Sequence, residues 1–181
     1  MKTIDLETAA QLLSQGKIGV VRTDTLYGVV AQALNEQAVE RVYRAKGRTP
    51  SKSPILLIAS IGQLIDQYEP ELLAHIDELW PGKNSVILPS SDGPAWLTRG
   101  NASIAYRIPA DERLRKLLEQ TGPLIAPSAN PEGDPPAMAT AKAQEYFGDT
   151  VDFYVDGGEV TDEAPSKLWR LQPNGELERL R

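Results

Sequence analysis

Four short segments carry most of the residue types that can hold a polar ligand. Arg22-Thr23-Asp24-Thr25-Leu26-Tyr27-Gly28 follows an aliphatic run at residues 18–21 and offers two hydroxyls, an aromatic ring and a glycine. Ligands of open α/β sheets bind beyond the carboxyl ends of strands, so these groups can line a small polar pocket, although they equally suit an ordinary turn. Lys46-Gly47-Arg48 is followed by Lys52. A lysine ending a helix meets the negative end of the dipole, which is reason enough for Lys46. Arg48 and Lys52 continue into a Pro-rich loop, where they could clamp a carboxylate or phosphate, Arg in bidentate fashion. Pro127-Ser128-Ala129-Asn130 presents a hydroxyl and an amide after another short apolar run, or simply a capped turn before Pro131 and Gly133. Arg107 ends the run Ser-Ile-Ala-Tyr-Arg at residues 103–107, either at the sheet's ligand edge or paired with one of the acids. Trp80 of Trp80-Pro81-Gly82 reads as a core anchor, and Asp156-Gly157-Gly158 and Ser166 are further polar points.

Composition narrows the chemistry. The 181 residues include 19 Lys+Arg, 25 Asp+Glu, one His and no Cys, for a net charge of −6. Without Cys there is no disulfide framework, thiolate nucleophile or Cys-bound metal. With His75 alone there is no multi-histidine metal site, and His75 itself reads as a boundary residue beside an apolar helix face. No metal ligands are expected. The phosphate-loop, G-x-G-x-x-G, G-x-S-x-G and H-E-x-x-H fingerprints are absent. The acidic average argues against a general nucleic-acid coat. Residues 40–52 nevertheless hold five cations against one acid. A charge run of that kind usually lies on a solvated face. Acids at Asp5 and Glu7 interrupt any signal-peptide core, and the longest aliphatic stretch, 55–59, is far short of the roughly 20 residues of a membrane span. A cytoplasmic protein without a membrane partner is expected.

The elements that must position these groups alternate. Leu6, Ala9, Ala10 and Leu13 recur at helical spacing before Gly16. Residues 18–21 read as a buried strand, and 29–33 as its continuation or partner. Asn35 caps a helix carrying Ala38, Val39, Val42, Tyr43 and Lys46, closed by Gly47. Residues 55–58, 85–88, 103–108, 124–126, 153–155 and 167–171 read as strands. Ser60 heads a short helix, Pro70 begins another through Leu72, Leu73, Ile76 and Leu79, and 111–120 and 140–147 read as helices. The interleaving predicts an α/β sheet packed by helices, mixed because several connections look like hairpins. No internal repeat or linker divides the chain, and one domain over 1–181 is expected.

In this order the segments resemble the YrdC-like family of threonylcarbamoyl-AMP synthases. The family pattern T-x-T-x-Y-G, K-x-R, W-P-G, R-x-P, S-x-N, then Gly-Gly and Ser, stands here as residues 23–28, 46–48, 80–82, 107–109, 128–130, and Gly157-Gly158 with Ser166. Residues 175–179 are similar to the family's terminal strand. The resemblance implies a YrdC-like fold, a twisted mixed sheet with flanking helices around a basic concave cavity. It implies formation of L-threonylcarbamoyl-adenylate and pyrophosphate from L-threonine, bicarbonate and ATP, with Mg²⁺ accompanying ATP and no organic cofactor. The product would feed tRNA N6-threonylcarbamoyladenosine modification through tRNA threonylcarbamoyl-transfer proteins. By matched position, Thr23, Thr25, Tyr27, Arg107, Ser128 and Ser166 would hold threonine. Lys46, Arg48, Lys52, Ser103, Ala126, Asn130 and Arg179 would hold ATP, with Lys46 and Arg48 catalytic.

The departures are specific. Arg22 replaces a family Pro, residues 28–31 read Gly-Val-Val-Ala, Lys83-Asn84-Ser85 follows Trp-Pro-Gly, the 48–54 loop is one residue longer, and Arg170 stands where an Asp is usual. Arg22 and Lys83 add positive charge near the expected cavity. Two other readings use the same basic concavity: a non-catalytic paralogue binding tRNA or double-stranded RNA, and a carbamoyl-transfer relative.

Overall fold

Asparagine 35 accepts a hydrogen bond from the Ala38 backbone N–H at 3.0 Å and starts helix α2, Glu36–Lys46. Gly47 ends it at φ 57°, in the left-handed region that a glycine adopts without a Cβ penalty. Asp5 caps α1, Leu6–Ser14, and Asp111 caps α5, Glu112–Thr121, in the same way. In the computed structural model, residues 3–161 and 164–181 are described; Met1 and Lys2, part of the stretch read against an export signal, lie outside them.

Among the described residues nine strands form one mixed sheet in the order β7-β1-β2-β6-β3-β5-β4-β8-β9. These are β1 Gly19–Arg22, β2 Tyr27–Gln32, β3 Ile55–Leu57, β4 Asn84–Pro89, β5 Ser103–Arg107, β6 Leu124–Ile125, β7 Phe153–Tyr154, β8 Lys167–Leu171 and β9 Leu177–Arg179. The run at 29–33 is the antiparallel partner of β1, with Val20 opposite Val29 and Arg22 opposite Tyr27. The remaining helices are α3 Pro70–Ala74, α4 Ala95–Thr98 and α6 Thr140–Phe147.

Strand side chains alternate between two cores, as the period of two demands. Val20, Val29, Ala31, Leu56, Ile125 and Tyr154 join α2 and α6 on one face. Val21, Val30, Leu57, Leu124 and Phe153 join α1 and α5 on the other. Cover on both faces explains why the central strands are continuous apolar runs. Two details differ from the sequence pattern. The segment beginning at Pro70 is a five-residue helix followed by a 3-10 turn at Asp77–Leu79, because Pro81 holds Trp80 extended and the last turn tightens. Ser60 heads only a 3-10 turn and makes no side-chain cap bond. His75 is exposed at the end of α3.

Gly19 lies beside Phe153 in the parallel β1–β7 register, and a Cβ there would come within 2.4 Å of the Phe153 ring. That ring is buried and has no room to retreat. Gly19→Ala is expected to lower unfolding free energy by about 2 kcal/mol through overpacking, measured by denaturant titration; an unchanged midpoint contradicts this packing.

Candidate functional site

The β1–β2 turn is built by its threonines. Thr23 Oγ1 donates to Leu26 O at 2.7 Å and accepts from Thr25 N at 3.2 Å, closing the four-residue turn against the end of β1. Residues 127–129 run alongside the start of β2: Val29 N donates to Pro127 O and Ala129 N to Tyr27 O. The Ser128 segment therefore lies beside the Thr23–Tyr27 turn, although about a hundred residues separate them in sequence. Arg107 ends β5, two strands from β6 and parallel to β3. Tyr27 OH donates to Gly158 O at 2.7 Å and accepts from Gly157 N and Thr140 Oγ1, which pins the Gly-Gly segment to the same place. Ser166 Oγ meets Ser85 Oγ at 2.9 Å.

These elements enclose a cavity of about 310 Å³. Its polar wall is Thr23, Thr25, Tyr27, Arg48, Arg107, Ser128, Ser166 and Arg181, completed by Ala126 and the apolar Leu26, Ile55 and prolines 127, 136 and 165. A larger hollow of about 740 Å³ adjoins it and shares Arg48, Ile55 and Arg181 as a common wall. Lys52, Ser103, Asn101 and Arg170 line that outer space, and among the described residues its lining includes no Asp or Glu. Two buried guanidinium nitrogens, Arg48 Nε and Arg107 Nε, have no hydrogen-bond partner among the described residues. Unpaired buried donors are costly unless a ligand takes them. Arg48 Nη2 donates to Ser53 O at 3.1 Å, and its guanidinium lies 5.5 Å from the centre of the Tyr43 ring. The chemistry offered is that of an anion receptor with a small polar compartment opening into a larger one.

Three residues expected at the site line neither cavity. Lys46 is on the buried face of α2, in line with Ala38, Val39, Val42 and Tyr43. Its ammonium lies behind the site and donates to the carbonyls of Ser128 and Asn130. Asn130 is turned inward, its amide donating to Pro131 O and Asp134 O while Oδ1 accepts from Ser128 Oγ at 2.6 Å. Arg179 sits 6.0 Å from the Trp169 ring, opposite that residue in the β8–β9 register, whereas Leu168 and Arg170 face the outer cavity.

Arg181 takes the position expected of Arg179. Leu180 N and Arg181 N both donate to Leu168 O, and Leu168 N donates back to Arg181 O. Two residues thus oppose one, a β-bulge, which turns Arg181 onto the face of Leu168. Its guanidinium donates to Ser166 O at 3.0 Å. Of the two added cations, Arg22 lines a separate hollow beyond the turn and Lys83 lines neither cavity.

Four of the five cations in the basic segment are engaged, and Arg44 is exposed, donating to Glu40 O at 3.4 Å. Arg41 pairs with Asp152 at 2.9 Å, Lys46 is buried, Arg48 lines both cavities and Lys52 pairs with Glu132. The Glu132 carboxylate also accepts from Thr49 N and Oγ1. Lys52 foremost and then the Thr49 N–H draw its pKa down to about 2.

Burial, reinforced by the Arg48 charge, lowers the Lys46 pKa from 10.5 to about 8. Between those values the unfolded chain binds more protons than the folded one, so this contribution to stability rises with pH. Relative to Lys46→Met, the wild-type unfolding free energy is expected to climb between pH 8 and 10 by up to ~1.4 kcal/mol per pH unit. A difference that stays flat across that window in denaturant titrations contradicts the burial of a titrating ammonium.

The chain is similar to known proteins over nearly its whole length. The family model for the Sua5/YciO/YrdC domain, described as telomere recombination, matches residues 11–181. The threonylcarbamoyl-AMP synthase of Pyrococcus abyssi is 39% identical over 165 residues, covering 86% of this chain and 47% of that protein. The chain thus spans about half the length of that relative. The threonylcarbamoyl-AMP synthase of Marinobacter nauticus is 33% identical over 175 residues, 91% of this chain and 90% of that one. The crystal structure of P. abyssi Sua5 complexed with L-threonine superposes with TM-score 0.86 at 34% identity, over 97% of this chain and 53% of that one. E. coli YciO shares the fold, with TM-score 0.84 at 19% identity.

Proposed function

Because the chain belongs to the Sua5/YciO/YrdC family, we propose that it is an L-threonylcarbamoyladenylate synthase acting at the paired cavities. The observation that carries this reading is the common wall. A compartment of about 310 Å³ suited to an amino acid opens, past Arg48 and Arg181, into one of about 740 Å³ suited to a nucleotide. Two relatives of this chain are named threonylcarbamoyl-AMP synthase, and one solved relative was crystallised with L-threonine.

In this reading Thr23, Thr25, Tyr27, Ser128 and Ser166 shape the inner compartment, and Arg107 meets the threonine carboxylate. Arg48, Lys52, Ser103 and Arg181 receive the nucleotide, its phosphates toward the cations. Lys46 and Asn130 act from behind, holding the 128–130 segment in place. The threonine amine and bicarbonate give a carbamate and water. A carbamate oxygen then attacks the α-phosphorus, and the bond to pyrophosphate breaks. Every reagent is anionic, so the main demands are positioning and fixed positive charge where the leaving pyrophosphate gathers negative charge. No side chain needs to form a covalent intermediate. Mg²⁺ would arrive with ATP as part of the substrate. The hydroxyls of Ser51, Ser53 and Ser103 in the outer lining suit a hydrated ion carried by the nucleotide.

The product would pass to tRNA threonylcarbamoyl-transfer proteins, and a cytoplasmic location follows from the same reading. Among the described residues no helix is long and apolar enough to cross a membrane. Of the five cations in residues 40–52, Arg41 and Lys52 are paired, Lys46 is buried and Arg48 is aimed into the cavities, which leaves the exposed Arg44 and little basic face for RNA.

The test is product analysis after incubation with ATP, Mg²⁺, bicarbonate and each amino acid in turn. Threonine-dependent pyrophosphate release with a carbamoyl-adenylate product is expected. Turnover of carbamoyl phosphate with indifference to threonine, or salt-dependent RNA binding without pyrophosphate release, overturns the proposal.

A further inference from the structure

Asp24 stands between the two threonines of the β1–β2 turn, yet it does not line the inner cavity. Its carboxylate lies behind Arg107, on the wall of a separate hollow of about 950 Å³ that it shares with Asp5, Asp111, Asp156, Arg22 and Arg113. Asp24 Oδ1 is 3.1 Å from Arg107 Nη2, and the two side chains are only 5% and 6% exposed. Asp24 Oδ2 accepts from Ala110 N at 3.2 Å, tying the turn to the chain just beyond β5. Thr23 Oγ1 lies 3.5 Å from the same Nη2. Arg107 Nε and Asp24 Oδ1 are both buried without a hydrogen-bond partner among the described residues, so the pair is a close charge contact and not an aligned hydrogen bond. Nη2 thus lies against the Asp24 charge and the Thr23 hydroxyl, while Nε is left with its donor unused.

A buried ion pair is a poor device for stability alone, because desolvating both charges about cancels their attraction. It is a good device for fixing direction. An arginine has four rotatable bonds, and a carboxylate behind it holds one edge while leaving the other for a ligand. The inner cavity already gathers the guanidiniums of Arg48, Arg107 and Arg181, which repel one another. Asp24 offsets one of those charges without entering the cavity.

We infer that Asp24 is a positioning residue for substrate-carboxylate recognition: through the Arg107 ion pair it sets the guanidinium that receives the amino-acid carboxylate. The inference rests on the synthase reading given above. It assigns Asp24 an effect on one substrate and not the other, since Lys52 and Ser103 at the nucleotide compartment do not touch it.

The test compares wild type, Asp24→Asn, Arg107→Lys and the double variant by initial rates of pyrophosphate release, varying threonine and ATP separately. Asp24→Asn is expected to raise KM for threonine about tenfold or more while KM for ATP stays within about twofold. In the Arg107→Lys background the same substitution is expected to add nothing, because Asp24 acts through that guanidinium. Equal rises in both KM values, or effects that multiply in the double variant, overturn the inference. Should Asp24→Asn fail to fold, Asp24→Glu keeps the charge and moves the carboxylate by one methylene. The same split in KM is expected of it, and an unchanged KM for threonine overturns the inference. Wild-type enzyme that releases no pyrophosphate in response to threonine overturns the synthase reading itself, and this inference falls with it.

Discussion

Arg48→Ala is expected to slow pyrophosphate release by ~10²–10³-fold, the usual cost of removing one preorganised donor from a developing negative charge. Arg48 forms part of the wall between the two cavities, so it can face carbamate, α-phosphate and leaving pyrophosphate together. Among the described residues its Nε is buried without a partner, and Nη2 donates to Ser53 O. Tyr43 supports the guanidinium from one side and anchors the loop beyond it by donating to Lys52 O at 2.6 Å. Little of the fold depends on Arg48, and the Ala variant is expected to keep its thermal midpoint. Arg48→Lys should recover only part of the rate, because an ammonium has one charged point where the guanidinium has a planar fork. Steady-state rates with saturating ATP and threonine decide the matter; full activity in a folded Ala variant removes Arg48 from the mechanism.

The second expectation separates two arginines that lie two residues apart. Arg181→Ala should lower the rate by about 10²-fold, for the same electrostatic reason as Arg48. Arg179→Ala should change it by less than about twofold, as an exposed side chain whose contacts are worth little. Arg181 forms part of both cavity walls and donates to Ser166 O, whereas Arg179 lies against Trp169 on the opposite side of β8. The bulge at Leu180 and Arg181 creates the distinction. Equal losses in the two variants, measured as kcat for pyrophosphate release, would contradict the bulged pairing.

Taken singly, the site segments suit ordinary turns, and only their resemblance, in order, to the family's motifs marks them as binding residues. Thr23, Thr25, Tyr27, Arg107, Ser128 and Ser166 sit next to short apolar runs, and those runs became strands whose ends converge. A run of aliphatic residues is legible because both sheet faces are covered and each strand must be apolar throughout. Helix ends were legible for a similar reason: Asn35, Gly47 and Asp111 satisfy or release backbone groups within a few residues, and so carry their signal locally. The four-residue helix α4 and the break after Ala74 carry too few turns to give a periodic signal.

The sequence by itself determined the mixed α/β architecture, the position of most strands and the longer helices, the lack of cysteine, and the side chains available for binding anions. In sequence Lys46 reads as a helix-end cation and, by resemblance, a phosphate ligand, whereas the structure buries it on the face of Ala38, Val39, Val42 and Tyr43. What a buried ammonium would hold could not be read there, because the Ser128 and Asn130 carbonyls reach it only through the pairing of distant strands. Tertiary structure alone also decided that Arg181 and not Arg179 enters the cavities, and that Asp24 pairs with Arg107. A side chain's face is local while a strand stays regular. Once two residues oppose one across a ladder, or a turn packs against the end of another strand, the partner chain sets the direction, and that partner lies far away in sequence.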